Sequence, residues 1–488
     1  MNTPSCYMRK VLFPVFSLSI GISAFTLQAA PNILVIIADD LGTEALSSYG
    51  IGEETAVTPN IDKLVSQGVR FEQFWSQPSC SPTRAALLTG RYAFRTGVRS
   101  PLRFQWANMD APVPQLPENS PTELWYEPIG LVDNGEVAAL RQPPPPQQLP
   151  RGPRLDEIML PQVLGALPDP YATAAIGKWH LADLFNGDVN HPNQSGFDYY
   201  SGGLFGVPSS YFAWRHLENG KLTAETGYYD QRVNDDAIHW IAEQKEKPWF
   251  LWLSYSNPHT PVHLPPTELL HSEAKNLPPV FEGEENNRAY FYAQVEAMDT
   301  LIGQLLESIP QEVKDNTYVI FLGDNGTVSW DNPSPPRDPQ RAKGTVYEGG
   351  VSVPLIIAGP GVPEGRTATP LAHVVDLFST ILDLTGTDQD TALPESLAID
   401  SISIAPQIFD PDMPGQRSWV LTEGSLRGQN WTAIRDSQYK LVISDDREEF
   451  YDLLNDANET NILSLQGLMA EARTAYNTLK SLLDTIVN

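Results

Sequence analysis

Cys80 stands in Ser79-Cys80-Ser81-Pro82-Thr83-Arg84 and is followed at once by Ala85-Ala86-Leu87-Leu88-Thr89-Gly90. Proline suits the first turn of a helix, where its missing N–H costs nothing and its φ is preset. The spacing therefore predicts Cys80 at a helix N-terminus, where free N–H groups and the dipole favour an anion. A lone cysteine is ordinarily a small buried hydrophobe; as a reactive thiol it would gain from the helix end and from Arg84. Neither reading explains why proline and arginine stand at these offsets. Asp39-Asp40 and Asp324-Asn325-Gly326 each follow an apolar run. Between them they offer three carboxylates and an amide oxygen, the hard donors that calcium or magnesium prefers. Capping of the next helix is the competing use of such acids. Asn325-Gly326-Thr327 also has the form of a glycosylation sequon, whereas metal binding predicts a buried Asn325 side chain. Cations and imidazoles complete the set: Lys178 and His180 in Gly177-Lys178-Trp179-His180, His259 in Asn257-Pro258-His259-Thr260-Pro261, and Lys343 ahead of Glu348-Gly349-Gly350. His263 rivals His259, which the proline-flanked turn after Pro258 favours. A lone lysine or histidine in such a loop is ordinarily solvated or hydrogen-bonded, but paired proton donors beside donors for a cation exceed what binding alone needs.

Such residues need elements that gather them. Ile33 to Ala38 is a continuous apolar run of the kind expected for a parallel strand covered on both faces. Ala172 to Ile176, Trp249 to Tyr255, Tyr318 to Leu322 and Pro354 to Ala358 are similar. Helical candidates lie between them: Pro59 to Gln67, Val233 to Gln244, Tyr290 to Ile309 and Val374 to Leu384. Alternation of strands and helices predicts an α/β fold with a parallel or mixed sheet. In open sheets of that class ligands bind beyond the carboxyl ends of strands. Four such ends carry Asp39-Asp40, Lys178 and His180, His259, and Asp324-Asn325. A catalytic domain is expected over 31–415, with a proline-rich insert at 101–153 that is long enough to be functional. Residues 416–488 are expected to form a small α+β subdomain. Its short antiparallel strands are Trp431 to Ile434, Lys440 to Ile443 and Phe450-Tyr451, followed by a helix over Leu465 to Ile486.

Residues 1–30 read as a secretory signal, with Arg9 and Lys10, an apolar run and small residues before Pro31. The formal charge of the full chain is -28, and loss of Arg9 and Lys10 would take it to -30. Such a surface excludes nucleic acid and anionic membrane as partners. An anionic substrate must therefore meet a locally basic pocket. Cys6 lies in the signal, so Cys80 has no partner for a disulfide. An exported chain without disulfides suits a bacterial periplasm or the extracellular space.

Cys-x-Pro-x-Arg resembles the signature of type I sulfatases, of the alkaline-phosphatase-like superfamily, and Leu88-Thr89-Gly90-Arg91, Gly177-Lys178-Trp179-His180 and the lysine before Glu348-Gly349-Gly350 are similar to that family too. The resemblance implies a large mixed, mostly parallel sheet sandwiched by helices. It also implies that Cys80 is oxidised to formylglycine by a maturation enzyme, and that Asp39, Asp40, Asp324, Asn325 and residue 80 hold calcium rather than magnesium. The implied chemistry is sulfate-ester cleavage. A hydrated residue 80 attacks sulfur with Asp324 as base, and Lys178, Lys343 and the metal hold the sulfuryl oxygens. His259, helped by Lys343, protonates the leaving oxygen. His180 takes the proton whose loss expels sulfate from the covalent intermediate, and Arg84 holds residue 80. Ser352 departs from the arginine common in the family.

Leu155-Asp156-Glu157, Leu160-Pro161-Gln162 and Gly196-Phe197-Asp198-Tyr199-Tyr200 look like the arylsulfatase B-like group, which implies a sulfated poly- or oligosaccharide as substrate. Small aryl or alkyl sulfates, phosphate esters and mere binding of a sulfated glycan are the alternatives. Aromatics between Tyr199 and Trp214, with Trp106, Trp125 and Trp330, form either a sugar-stacking rim or core and loop anchors.

Overall fold

The computed structural model of the chain describes residues 1, 29–102, 115–117, 120–121, 123, 151–183, 185–208, 210–244, 247–279, 287–331, 333–426, 429–445 and 447–487. Nearly all of the expected secretory segment and most of the expected insert, with Trp106 and Trp125, lie outside the described residues.

Strand β1, Asn32–Ala38, is buried at every residue. Ile33, Val35 and Ile37 enter one core, while Leu34, Ile36 and Ala38 enter another on the opposite face. That is why the segment is an unbroken apolar run rather than an alternating one. The strands that follow in the main body are β2 Val69–Phe71, β3 Phe74–Trp75, β4 Ala172–Gly177, β5 Tyr199–Gly202, β6 Ala213–Glu218, β7 Lys221–Thr226, β8 Trp249–Ser254, β9 Thr317–Gly323, β10 Leu355–Ala358, β11 Arg366–Ala368 and β12 Ala372–His373. A ten-stranded sheet has the order β11-β2-β10-β9-β1-β8-β4-β5-β6-β7. Its centre, from β9 to β5, is parallel, and β10, β6 and β7 run antiparallel to their neighbours. Ala38 pairs with Gly323, and Ile37 and Gly177 both pair with Ser254. This register makes Asp39, Asp324, Lys178 and Tyr255 leave the sheet at one level along its carboxyl edge.

Helix Pro59–Gln67 has the expected bounds, and Tyr229–Glu243, Asn287–Ser308 and Leu377–Leu384 occupy the expected segments with shifted ends. Strands β5 to β7 were not expected. Lys221–Thr226 is an edge strand with no buried residue, so it carries no apolar signature. Tyr200, Tyr211, Phe212 and Trp214 are core residues rather than a sugar-stacking rim; Trp214, for example, packs edge-on against Tyr229 at 5.4 Å. Among the described residues no helix is long and apolar enough to cross a membrane.

Strands β13 Val420–Leu426, β14 Gln429–Arg435, β15 Tyr439–Ser444 and β16 Glu448–Asp452 form an antiparallel sheet in chain order. The helix after it spans Ala470–Val487. Trp75, Val346, Val351 and Leu371 of the main body pack with Val420, Ala433, Val442 and Tyr451 of this sheet. Lys440, wholly buried, crosses the same boundary: its Nζ lies 3.2 Å from Glu348 Oε1, 2.8 Å from Glu459 Oε1 and 4.5 Å from the centre of the Trp75 ring. Removing a buried cation while leaving its carboxylates is strongly destabilising. Lys440→Met is expected to lower the unfolding free energy by about 3–5 kcal/mol, read as a lower urea midpoint by circular dichroism.

Candidate active site

Ser79 is the last extended residue before the helix Cys80–Thr89 and makes no side-chain capping hydrogen bond, so Cys80 is the helix's first residue and Pro82 lies in the first turn, as the spacing predicts. The thiol is buried and faces the ends of β1 and β4. Its Sγ lies 3.5 Å from Asp39 Oδ1 and accepts from Lys178 Nζ at 3.4 Å. Consecutive residues of an extended chain point to opposite sides. Asp40, however, adopts a φ of 71°, in the left-handed region that few residues other than glycine visit, and so both carboxylates reach one point. Ligand atoms of Asp39, Asp40, Cys80 and His259 lie within 4.8 Å of one another.

Three buried acids here are matched with three cations. Lys178 Nζ donates to Asp39, Lys343 Nζ donates to Asp40, and Arg84 donates through Nε and Nη2 to Asp324 Oδ2 at 3.1 and 2.8 Å. Asp324 Oδ1 accepts from the Asp40 N–H at 3.1 Å, and Asn325 Nδ2 donates to Asp40 Oδ1 at 2.8 Å. Asn325 is fully buried, as metal binding requires of it. Asp40 Oδ2 and Asn325 Oδ1 are buried without a hydrogen-bond partner among the described residues. Orphaned oxygens within a group of carboxylates fit a hard divalent cation. His259 belongs to the close group and Asp324 lies outside it; Arg84 binds one Asp324 oxygen and the Asp40 amide the other, which leaves each oxygen a second lone pair. Imidazole suits softer metals, so His259 Nε2, 3.5 Å from Asp40 Oδ2, is better read as a neighbour of an ion than as a ligand.

Arg84 is turned away from the expected contact with residue 80. Besides Asp324 it binds the Lys178 carbonyl at 2.9 Å and Ser254 Oγ at 2.6 Å, since a planar guanidinium is best satisfied by several acceptors in its own plane. Lys178 is the cation that reaches Sγ. His180 Nε2 lies 2.8 Å from the Leu102 carbonyl, which assigns the N–H to that nitrogen, and its Nδ1 is buried without a partner among the described residues. Gly206 packs so tightly on this ring that a Cβ there would lie 2.7 Å from it. His259 Nδ1 faces the Thr260 carbonyl at 2.8 Å, so Nε2 is the nitrogen left for chemistry. His263 is excluded: its nitrogens meet Tyr228 Oη and the Pro261 carbonyl. Ser352 is buried beside Trp75 and takes no part in the donor group.

Burial, only partly offset by Lys178 and Lys343, pushes the Cys80 thiol up to about 12. An unmodified Cys80 is therefore a poor nucleophile, contrary to the activation expected from the helix end. Burial and then the Asp324 charge push the Asp39 carboxyl up to about 8 despite Lys178. Burial also raises Asp324, but Arg84 and Lys178 outweigh it and its pKa is lowered. His259 falls well below its usual value through burial, Lys343 and Lys178, and His180 through burial and Lys178. Burial opposes the Lys343 ammonium, yet Asp40 holds its pKa above the usual value.

Sequence reasoning missed two supports of this site. Ser254 ends a buried strand, and Asp230 reads as an ordinary acid in the first turn of a helix. The Asp230 carboxylate accepts the Ser256 and Asn257 N–H groups at 2.9 and 2.7 Å and so fixes the start of the His259 loop.

A mixed sheet that gathers acids, cations and imidazoles at its carboxyl edge is the architecture of the alkaline-phosphatase-like hydrolases. Residues 31–122 and 138–387 match the sulfatase family, and the chain belongs to that family as a sulfuric ester hydrolase. Sulfatases generally use formylglycine and a metal, and the buried group of Asp39, Asp40, Cys80 and His259 could hold an ion. The chain is 28% identical to N-acetylgalactosamine-6-sulfatase of Canis lupus familiaris, over 86% of this chain and 73% of that one. It is 27% identical to arylsulfatase G of Rattus norvegicus, over 83% of this chain and 74% of that one. The crystal structure of Ps i-CgsB superposes with a TM-score of 0.73 at 25% identity, covering 93% of this chain and 92% of that one.

Cation binding should displace the Asp39 proton, because a carboxyl held near 8 is mostly protonated at neutral pH while its bound form must be ionised. Affinity for a divalent cation is thus expected to rise between pH 6 and 8, with proton release measured by calorimetry in buffers of different ionisation enthalpy. At a hundredfold excess over Kd the ion should stabilise the metal-stripped protein by about 2.7 kcal/mol, and Asp40→Asn should abolish most of that gain in thermal melts.

Proposed function

We propose that this sulfatase removes sulfate from a sulfated carbohydrate, with residue 80 acting as formylglycine. The observation that carries the reading is the meeting of Cys80 Sγ with Asp39, Asp40, Lys178 and His259 in one buried group within a chain of the sulfatase family. The sugar is supported by N-acetylgalactosamine-6-sulfatase among the relatives and by the complex of Ps i-CgsB with k-i-k-neocarrahexaose, 25% identical with a TM-score of 0.71. Asp39, Asp40, Asp324, Asn325 and residue 80 would hold the ion, calcium in preference to magnesium, because the donors are many and all oxygen. The bound cation would supply charge against the sulfuryl oxygens and acidity to the attacking hydroxyl. Hydrated formylglycine would supply two hydroxyls on one carbon, one to attack sulfur and one whose deprotonation releases sulfate.

The chain's own residues divide the remaining work. Lys178 and Lys343 lie beside the position of attack and hold the anionic sulfuryl oxygens. Asp324, oriented by Arg84, accepts the proton of the attacking hydroxyl. His259 Nε2 gives a proton to the leaving oxygen, and His180 Nδ1, the unpartnered nitrogen, takes the second hydroxyl proton. Export to the periplasm or beyond, directed by residues 1–30, would bring such an enzyme to polymeric substrates. Domain limits at 31–415 and 416–488 belong to the same proposal.

Mass spectrometry of the tryptic peptide Phe71 to Arg84 from the native host is expected to find the aldehyde or its hydrate at residue 80; a plain thiol there would sink the mechanism. Matched sulfate and phosphate monoesters should be turned over in favour of sulfate, and faster phosphate release would reassign the chemistry. His259→Ala is expected to slow a sugar 6-sulfate by about 10²–10⁴-fold but 4-nitrophenyl sulfate far less, since nitrophenolate leaves without a proton. A lowered His259 pKa means that the acid form grows as pH falls below the usual histidine value, near 6.5. The kcat/KM of the sugar ester should therefore gain on that of the aryl ester with acidification, and this gain should vanish in His259→Ala.

A further inference from the structure

The loop that carries His259 is tied down by a residue from the far edge of the sheet. Tyr211 precedes β6 and is fully buried. Its hydroxyl lies 2.7 Å from the Ser256 carbonyl and 2.8 Å from the His259 carbonyl, donating between the two ends of one turn. That turn is closed by the His259 N–H on the Ser256 carbonyl at 2.8 Å. The Tyr211 ring is itself fixed, with its centre 4.2 Å from that of His263. Its backbone is held at both ends, by Glu123 Oε1 accepting the Tyr211 N–H at 2.6 Å and by the Tyr229 N–H donating to the Tyr211 carbonyl at 2.8 Å. Burial keeps the phenol pKa well above its ordinary value, so the hydroxyl remains a donor at every working pH.

Each carbonyl would keep a donor without this hydroxyl. Ser256 would retain the His259 N–H, and His259 would retain Gln294 Nε2 at 3.2 Å. Satisfaction of buried polar groups therefore does not by itself require Tyr211. What the hydroxyl adds is a bridge between the first and last residues of the turn. It fixes where the His259 backbone sits, and with it where Nε2 points toward Asp40.

We infer that Tyr211 is a positioning residue for His259, its hydroxyl holding the imidazole at the reach needed to protonate the leaving oxygen. The inference rests on the proposed role of His259 as the acid. It also gives the hairpin of β6 and β7 a task, that of carrying a rigid phenol to the back of the catalytic loop. Glu123 joins the region between the Cys80 helix and β4 to the same loop through a single residue.

The test compares wild type, Tyr211→Phe and His259→Ala on a sugar 6-sulfate and on 4-nitrophenyl sulfate, with kcat and KM measured separately and thermal midpoints recorded. Misplacing a catalytic group by a fraction of an ångström costs roughly tenfold or more. Tyr211→Phe is therefore expected to lower kcat on the sugar ester by about tenfold and on the aryl ester by less than about threefold, with KM nearly unchanged. Equal losses on both esters, or no loss on either, would overturn the inference. Should Tyr211→Phe fold poorly, Glu123→Ala frees the Tyr211 N–H that holds the phenol in place and is expected to show a weaker form of the same selectivity; a loss without selectivity would count against the inference equally. If His259→Ala itself fails to distinguish the two esters, His259 is not the acid, and that outcome is visible whatever Tyr211→Phe does.

Discussion

Three carboxylates with no access to water sit at the centre of this molecule, and their mutual repulsion is the constraint to which the rest of the site answers. Asp39, Asp40 and Asp324 are each fully buried, where a charge without a partner is prohibitively costly. The protein meets that cost with Lys178, Lys343 and Arg84, one cation for each acid. With all three acids ionised, the ion-free site is formally neutral. A divalent cation would leave a surplus of two positive charges facing a sulfate monoester, inside a chain whose overall charge is -28. Attraction of an anion is thus a local property created by charge pairing, and the acidic exterior has little bearing on it over distances longer than the screening length.

The parallel register of the sheet makes this concentration of charge possible. Strands β9, β1, β8 and β4 are neighbours, all parallel, and end at the same level. Residues separated by more than two hundred positions therefore emerge side by side, and the apolar strands behind them exclude the water that would weaken their interactions. The helix Cys80–Thr89 packs against this edge with residue 80 foremost. Burial there disfavours the anion of its unmodified thiol.

Histidine shows how backbone contacts assign chemistry. Both catalytic candidates donate one N–H to a main-chain carbonyl, Leu102 for His180 and Thr260 for His259. Each is left with a single nitrogen facing the site, and both are held neutral in the free protein by burial and the lysines. A ring that is already oriented and uncharged can pick up one proton at its bare nitrogen without rearranging, as His180 is proposed to do, whereas His259 must first be protonated at Nε2 before it can serve a leaving oxygen.

The chemistry-bearing residues and the core strands were legible in the sequence because both are local signals. Cys80 with Pro82 and Arg84, the paired acids after apolar runs, and the unbroken run of β1 need only a few neighbouring residues to be recognised. Strand β7 escaped notice because an exposed edge strand has no apolar run to betray it, β5 and β6 are short and carry polar residues within them, and the aromatics near them fitted a sugar-stacking rim and core anchors equally well. The partner of Arg84, the free nitrogen of His180 and the role of Tyr211 were all beyond reach, since each depends on register between distant strands and on rotamers packed against them, whereas the preference for His259 over His263 was already legible in the proline-flanked turn. By itself the sequence determined which functional groups the protein possesses and which segments must be buried, for burial and local backbone preference are written in the order of residues. Only the tertiary structure decided which group faces which, because at contact distance in a low-dielectric interior a shift of one residue or one rotamer exchanges an ion pair for an unpaired charge.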